Sequence, residues 1–179
     1  MMSILGPQKH AALVRAARSV MGVPGAVAEC GVYKGGNLRT LAGIFRASEV
    51  FGFDTFDGLP VAMWSEGEPH SAGDFGDVSF EAVSMALAGV ANVHLVRGIF
   101  PDSAAPLSDR RFSFVHLDLD FYASTRAALL WLLPRMSKGG AIVFDDYGWK
   151  HCPGVKRAIE EAALPVVETV QFQAIYRVA

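Results

Sequence analysis

The chain has little of several features that would assign it at once to a common class of protein. Its formal net charge is −2 and it has no cluster of Lys and Arg, which argues against a nucleic-acid partner. It has two cysteines, Cys30 and Cys152, and neither belongs to a Cys-x-x-Cys or zinc-ligand spacing. No apolar run is long enough to cross a membrane, and the N-terminus lacks the features of a signal peptide. We therefore expect a cytoplasmic protein without membrane or nucleic-acid partners; a homo-oligomer stays open.

The composition indicates one globular domain. The 179 residues are 51% hydrophobic and 19% charged, which is enough to bury a substantial core. No internal repeat, low-complexity segment or linker interrupts the sequence. We expect residues 1–179 to form a single domain.

Two acidic pairs follow two apolar runs in the second half of the chain. Residues 112–117 and 141–144 are each continuous and apolar, as in strands buried on both faces of a parallel sheet. The helical pattern between them predicts one right-handed βαβ unit with its strands parallel. The aspartates that follow these strands are Asp118, Asp120, Asp145 and Asp146. All four are therefore predicted at one carboxyl edge, where open α/β sheets bind ligands.

Carboxylates crowded at one edge repel one another, so they require a cation or raised pKa values. An all-oxygen set favours a hard ion such as Mg2+. The alternative hypothesis is that Asp120 and Asp146 cap the helices that follow them, as Asp often does. Capping accounts for one acid of each pair and leaves the other unexplained.

The first half of the chain predicts a strand at residues 26–28, a glycine-rich turn and a helix. This is the opening unit of a nucleotide-type fold, but the spacing of Gly31, Gly35 and Gly36 departs from Gly-x-Gly-x-x-Gly. Glu29 places a negative charge where such folds seat a pyrophosphate. The turn therefore favours a cationic nucleoside without phosphate.

A second strand is predicted at residues 49–53 and ends at Asp54. An acid about twenty residues past a glycine turn is placed to bind ribose hydroxyls. Thr55 and Phe56 would border the base, and the backbone of Gly98, after the third strand, would contact adenine. Together these residues predict an adenosine-bearing ligand.

Residues 59–79 show no persistent pattern and are rich in Gly and Pro. Such a segment is either a lid that contacts substrate through Trp64, His70 and Phe75, or a surface excursion. Upstream, residues 7–21 predict an amphipathic helix that packs on the sheet, with Lys9 on its polar side.

Two further residues have competing interpretations. His116 lies inside an apolar strand and is predicted as a core histidine. Cys152, close to the acidic edge, is either a nucleophile or an unreactive loop thiol, and the second is the commoner case.

Five phrases occur together and in order. They are GAVAECGVYKGG at 25–36, FDTFDGLP at 53–60, GIFPDS at 98–103, HLDLDFYAST at 116–125 and GGAIVFDDYG at 139–148. In these phrases the chain resembles the macrocin O-methyltransferase family of S-adenosylmethionine-dependent enzymes. The resemblance spans roughly residues 25–161.

The resemblance implies an α/β fold, the Rossmann-like class I methyltransferase sheet of seven strands, mostly parallel with the last antiparallel, and helices on both faces. It also implies an acceptor hydroxyl on a sugar or other small natural product, and Mg2+ held by Asp118, Asp145 and Asp146. Either Asp118 or Asp120 would take the proton of that hydroxyl. The residues expected at S-adenosylmethionine are Glu29, Gly31, Tyr33, Gly35, Asn37, Asp54, Thr55, Phe56, Gly98 and Ile99.

Three other functions share parts of this pattern. A magnesium-dependent phosphohydrolase of the haloacid dehalogenase type also has Asp-x-Asp after a strand, but there the pair lies early in the chain. A nicotinamide oxidoreductase shares the opening βαβ unit, although Glu29 and the glycine spacing argue against it. A noncatalytic nucleoside-binding protein is the third.

Overall fold

A computed structural model of the chain describes residues 5–179, apart from the side chain of Glu168. The α-helices are α1 (Pro7–Arg18), α2 (Gly36–Ile44), α3 (Phe80–Ala86), α4 (Tyr122–Leu132) and α5 (Pro153–Glu161). The strands are β1 (Ala26–Cys30), β2 (Val50–Asp54), β3 (Val93–Arg97), β4 (Phe112–Leu117), β5 (Met136–Phe144), β6 (Val167–Glu168) and β7 (Ala174–Arg177). No helix in residues 5–179 has both the length and the apolar character needed to span a membrane.

The strands of residues 5–179 form one sheet in the order β3-β2-β1-β4-β5-β7-β6. The first five are mutually parallel, and β7 runs antiparallel to both β5 and β6. Six of these strands have four or more residues and β6 has only two. This arrangement confirms the predicted class I methyltransferase sheet, including the antiparallel edge.

Helices cover both faces of the sheet because successive strand residues point to opposite sides. In β5, Ala141 and Val143 pack in a core with α1, α2 and α3, whereas Ile142 and Phe144 pack in a second core with α4 and α5. All six residues of β4 are buried, as its continuous apolar run predicted. A strand covered on both faces can expose polar groups to solvent or ligand only at its ends.

The backbone ladder continues past the carboxyl ends of the central strands. Its amide-to-carbonyl bonds join Gly98 to Asp54, Gly31 to Phe53, Asp118 to Cys30 and Asp145 to Leu117, at 2.9–3.0 Å. These bonds hold the residues that follow β3, β1, β4 and β5 side by side. Gly31, Asp54 and Gly98, which are predicted to bind the adenosine-bearing ligand, therefore share one edge with the predicted acids.

Gly31 is the residue that lets β1 approach β4 at this edge. Its φ is +90°, and a Cβ built on it would lie 1.8 Å from the carbonyl oxygen of Asp118. Any side chain at this position would have to push the Asp118 backbone away.

We expect Gly31→Ala to lower the free energy of unfolding by at least about 3 kcal/mol, because an overpacking cost adds to the strain of a positive φ. Gly89→Ala is the matched control, since its φ is +85° and no described atom lies within 4 Å of the added Cβ. It should lose only about 1 kcal/mol. Urea unfolding measures both, and equal losses would contradict the close approach at Gly31.

Candidate active site

A cavity of about 530 Å3 opens at the carboxyl edge of the sheet. The predicted site residues that line it are Gly31, Tyr33, Asp54, Thr55, Gly98, Ile99, Asp118, Asp120, Asp145 and Asp146. The predicted site residues outside its lining are Glu29, Gly35, Asn37 and Phe56. One cavity thus joins the predicted nucleoside half with the acidic half.

Three of the acids form a compact cluster. Asp118, Asp145 and Asp146 each offer a carboxylate oxygen, and these oxygens lie within 4.8 Å of one another. Asp145 and Asp146 are buried, and Asp118 is half-buried at the cavity wall. Desolvation raises the pKa of Asp118 well above its ordinary value, and the charges of Asp145 and Asp120 raise it further. The cluster therefore holds more negative charge than the protein alone neutralises easily.

Asp120 lies beside this cluster and contacts a different set of side chains. The thiol of Cys152 donates a hydrogen bond to its Oδ1 at 3.3 Å. His70, Asp120 and Cys152 also bring ligand atoms within 4.8 Å of one another. Desolvation and then the charge of Asp146 raise the pKa of Asp120 to about 6. Asp120 can therefore exchange a proton near neutral pH.

Cys152 is a neutral donor at this site. Its side chain is buried, and burial together with the neighbouring Asp120 and Asp146 raises the pKa of the thiol far above its ordinary value. A protonated thiol is a poor nucleophile. The structure therefore favours the packed-thiol interpretation.

Lys9 was not predicted at this site. Its Nζ lies 2.8 Å from Oδ1 of Asp145, and it donates a hydrogen bond of 2.9 Å to Oδ1 of Asp146. The contact with Asp145 is an ion pair without hydrogen-bond geometry, so this buried oxygen accepts no hydrogen bond from the described residues. Burial lowers the pKa of Lys9, but the two carboxylates outweigh burial and raise it. The site therefore contains an ammonium group that the helical periodicity of α1 could not reveal.

The helix-capping hypothesis for Asp120 and Asp146 is wrong. Phe121 is the N-cap of α4 and Cys152 the N-cap of α5, and neither helix has a side-chain hydrogen bond from its N-cap. Instead, the amide of Tyr122 donates a 2.9 Å hydrogen bond to Oε1 of Glu68, a residue distant in sequence. Asp120 and Asp146 have φ values of 58° and 57°, which turn both residues away from a capping geometry.

Asp54 organises the glycine-rich turn. Its Oδ2 accepts hydrogen bonds of 2.8 Å from the amides of Val32 and Tyr33, and its Oδ1 accepts one of 2.7 Å from Phe56. The hydroxyl of Thr55 donates to the carbonyl of Gly58 at 2.6 Å, which closes the next turn. The carboxylate therefore fixes both turns of the nucleoside half while it lines the cavity.

Glu29 faces away from the cavity, into the core beneath α1 and α2. It is 1% exposed and its Oε1 lies 2.9 Å from Nδ1 of His116. Burial raises the pKa of Glu29, and the hydrogen bonds with His116 and Asn37 oppose that rise. Asn37 Oδ1 also lies 3.2 Å from Nδ1 of His10 on α1. His116 is thus a core histidine, as predicted, and Glu29 is its partner.

Gly35 and Phe56 serve the local framework. Gly35, with φ of 81°, is the N-cap of α2. Phe56 is buried, and its ring packs edge-on against Phe80 at 5.2 Å between centroids. Phe56 follows Thr55, which lines the cavity, whereas neither chain neighbour of Gly35 belongs to the lining.

The segment 59–79 is fastened to the rest of the domain at several points. Glu68 accepts the hydrogen bond from the amide of Tyr122 in α4. Asp77 accepts hydrogen bonds of 2.6 Å from the hydroxyl of Tyr33 and from Nζ of Lys34. Phe75 lines the cavity and stacks edge-on with Tyr33, whereas Trp64 and His70 lie outside its lining. This irregular segment therefore forms a fixed wall of the cavity along part of its length.

Sequence reasoning missed a second group of cavity residues. They are Leu5, Gly6 and Lys9 at the start of α1, Trp149 after the second acidic pair, and Gln171 and Phe172 before β7. Phe172 is 51% exposed and Phe75 41% exposed, so aromatic rings border the cavity opening. Their places depend on how distant segments dock, for which the local sequence holds no signal.

The strand order, the antiparallel edge and the ligand-sized cavity at the carboxyl edge define a class I methyltransferase domain. A family model described as "Macrocin-O-methyltransferase (TylF)" matches residues 1–163. The chain belongs to this family, as its five ordered motifs predicted.

Similarity to individual proteins is consistent with that membership. The chain is 32% identical over 146 residues to 8-demethyl-8-(2,3-dimethoxy-alpha-L-rhamnosyl)-tetracenomycin-C 4'-O-methyltransferase of Streptomyces olivaceus, covering 73% of this chain and 56% of the relative. It is 31% identical over 158 residues to demethyldecarbamoylnovobiocin O-methyltransferase of Streptomyces niveus, covering 78% and 58%. The chain thus spans little more than half the length of these relatives.

A solved structure extends the comparison to three dimensions. The O-methyltransferase NovP superposes with a TM-score of 0.86 at 25% identity, and the match covers 99% of this chain and 82% of NovP. Nearly the whole chain therefore has a counterpart in that fold.

We expect Asp120 to lower the free energy of unfolding, measured without metal, by about 2 kcal/mol as the pH rises from about 4 through about 6. Folded Asp120 has a pKa near 6 and holds its proton more tightly than the unfolded chain does, so the stabilisation is present at low pH and is lost as the carboxyl ionises.

Urea unfolding at a series of pH values measures this dependence. Asp120→Asn should make it shallower by the contribution of Asp120, with the raised pKa values of Asp118 and Asp146 giving the remainder, whereas Asp109→Asn, at an exposed aspartate before β4, should leave it unchanged. An equally steep pH dependence in Asp120→Asn would contradict the assignment.

Proposed function

We propose that this domain transfers the methyl group of S-adenosylmethionine to a hydroxyl of a sugar or another small natural product, with Mg2+ at the acidic cluster. The observation that carries the proposal is the single cavity in which the glycine-turn half and the aspartate half face each other. The names of the relatives support the acceptor class, because they denote O-methyltransferases of rhamnosyl-tetracenomycin and novobiocin intermediates.

The donor would bind over the ends of β1, β2 and β3. Gly31, Asp54 and Gly98 meet there, and Asp54 is held by backbone amides at the cavity wall. When bound, S-adenosylmethionine supplies a methyl carbon made electrophilic by its sulfonium. Phe53 and Phe100 supply apolar surface for the base, and Asp54 supplies acceptor capacity for ribose hydroxyls. A cavity of about 530 Å3 is in the usual range for a ligand of this size.

The acidic cluster fits a hard divalent cation. Asp118, Asp145 and Asp146 offer three carboxylates at ligand spacing, and the cationic Nζ of Lys9 lies 2.8 Å from the buried Oδ1 of Asp145, so the cluster already binds one positive charge. Oxygen-only ligands suit Mg2+. A bound Mg2+ would lower the pKa of a coordinated hydroxyl and fix its direction.

The proton of the acceptor would pass to Asp120. Asp118 belongs to the metal-type cluster and Asp54 is held by backbone amides in the donor half, which leaves Asp120 as the further carboxylate of the acidic half, and its pKa of about 6 suits a general base near neutral pH. The Cys152 thiol holds Oδ1 of Asp120 in place. The cavity would thus orient the acceptor oxygen between the donor half and this carboxylate.

We expect S-adenosylhomocysteine to bind this protein and raise its melting temperature by several degrees, because a ligand that binds only the folded state stabilises it. NAD should leave the melting temperature unchanged, since the amides of Val32 and Tyr33 at the turn already donate to the Asp54 carboxylate instead of facing a pyrophosphate. A thermal-shift titration with both ligands checks this. A higher melting temperature with NAD and an unchanged one with S-adenosylhomocysteine would contradict the proposed methyl transfer.

We expect Asp145→Asn to reduce methyl transfer at least about a hundredfold while it leaves the affinity for S-adenosylhomocysteine within about twofold, because it removes a carboxylate at the end of β5 and leaves the donor half at β1, β2 and β3 unchanged. EDTA should abolish transfer by the unaltered protein. Methylation of sugar acceptors with a radiolabelled donor measures both, and Asp109→Asn is the control. Full turnover in EDTA would exclude the metal while leaving the methyltransferase intact.

A further inference from the structure

Lys9 places a positive charge deep in the acidic edge. Its Nζ lies 2.8 Å from Oδ1 of Asp145 and 2.9 Å from Oδ1 of Asp146, and the lysine side chain is only 15% exposed. Moving an ammonium group this far from water is costly. The pairing therefore persists because the aspartates would be still less stable without a cation.

The oxygens that hold Lys9 belong to the carboxylates that a divalent cation would use. Asp118, Asp145 and Asp146 form the cluster whose oxygens lie within 4.8 Å of one another. Mg2+ binds such oxygens at about 2.0–2.1 Å and carries twice the charge of an ammonium group. The two cations repel each other strongly at this separation, so occupancy by one disfavours the other.

We propose that Lys9 is the resident cation of the metal-free domain, and that a divalent cation binds by displacing the ammonium group from Asp145 and Asp146. The inference rests on the metal of the proposed function and adds that the chain carries its own competitor for that metal. Lys9 therefore sets the affinity for the ion.

Displacement of the Lys9 ammonium group by a divalent cation would loosen the first turn of α1 and leave the rest of the helix in place. Leu13 and Ala17 are fully buried in the core against the sheet, so these contacts keep the helix body in place. Gly6 and Lys9 line the cavity. Loss of the ion pair would therefore loosen the part of α1 that borders the cavity.

The test measures Mn2+ binding to the donor-free protein by the electron paramagnetic resonance signal of the free ion. Lys9→Met, which keeps the aliphatic stem, should bind Mn2+ about tenfold more tightly than the unaltered chain. Lys9→Arg keeps the charge and should gain nothing. Arg110→Met breaks an ion pair of 2.8 Å with Glu49 at the opposite edge of the sheet, and it should bind as the unaltered chain does.

Hydrogen exchange gives a readout that needs no variant. Mn2+ should speed exchange of the His10 amide, which donates to the carbonyl of Gly6 at the start of α1, in the unaltered chain, and it should have no such effect in Lys9→Met. Equal or weaker Mn2+ binding by Lys9→Met, or slower exchange of that amide with Mn2+, would overturn the proposal. Absence of Mn2+ binding by every form would also overturn it, and methyl transfer in EDTA then reports separately on the proposed function.

Discussion

Electrostatic repulsion among the aspartates at the carboxyl edge is the constraint on which the rest of the site depends. The backbone ladder holds Asp118 and Asp145 side by side through hydrogen bonds to Cys30 and Leu117, so the backbones of these two acids cannot separate without breaking the sheet. Strands buried on both faces leave these acids one direction to face, the cavity. The negative charge must therefore be balanced locally.

Three kinds of balance occur at this edge. Asp118 and Asp120 have raised pKa values, Lys9 contributes an ammonium group, and Cys152 contributes a neutral donor. The two partners come from different elements, Lys9 from α1 and Cys152 from the N-cap of α5. A cluster that recruits partners from distant elements differs from a solvated charged surface, because a solvated acid needs no such partners.

The features that follow from local sequence were predictable, and those that follow from docking were not. The apolar run before Asp118 determines a buried strand, and the strand's end determines where the acid lies. Helical periodicity placed Lys9 on a polar face without showing which surface that face meets. The capping hypothesis for Asp120 failed because the residue takes a left-handed backbone conformation that propensity does not reveal. Alternation along β1 sends Glu29 to the same face as Val27, beneath α1 and α2, and a motif alone does not show that.

The nucleoside half and the acidic half of the cavity therefore differ in how rigidly their residues are held. Asp54 binds the amides of Val32, Tyr33 and Phe56, so the nucleoside half consists of neighbouring strand ends joined by short hydrogen bonds. The acidic half includes Lys9, which α1 contributes from the face of the sheet on which it packs. Its outer wall includes residues from α1 and from the loop before β7. In the proposed methyltransferase, a rigid nucleoside half beside a wall assembled from separate segments would let the acceptor side vary while the donor chemistry is kept.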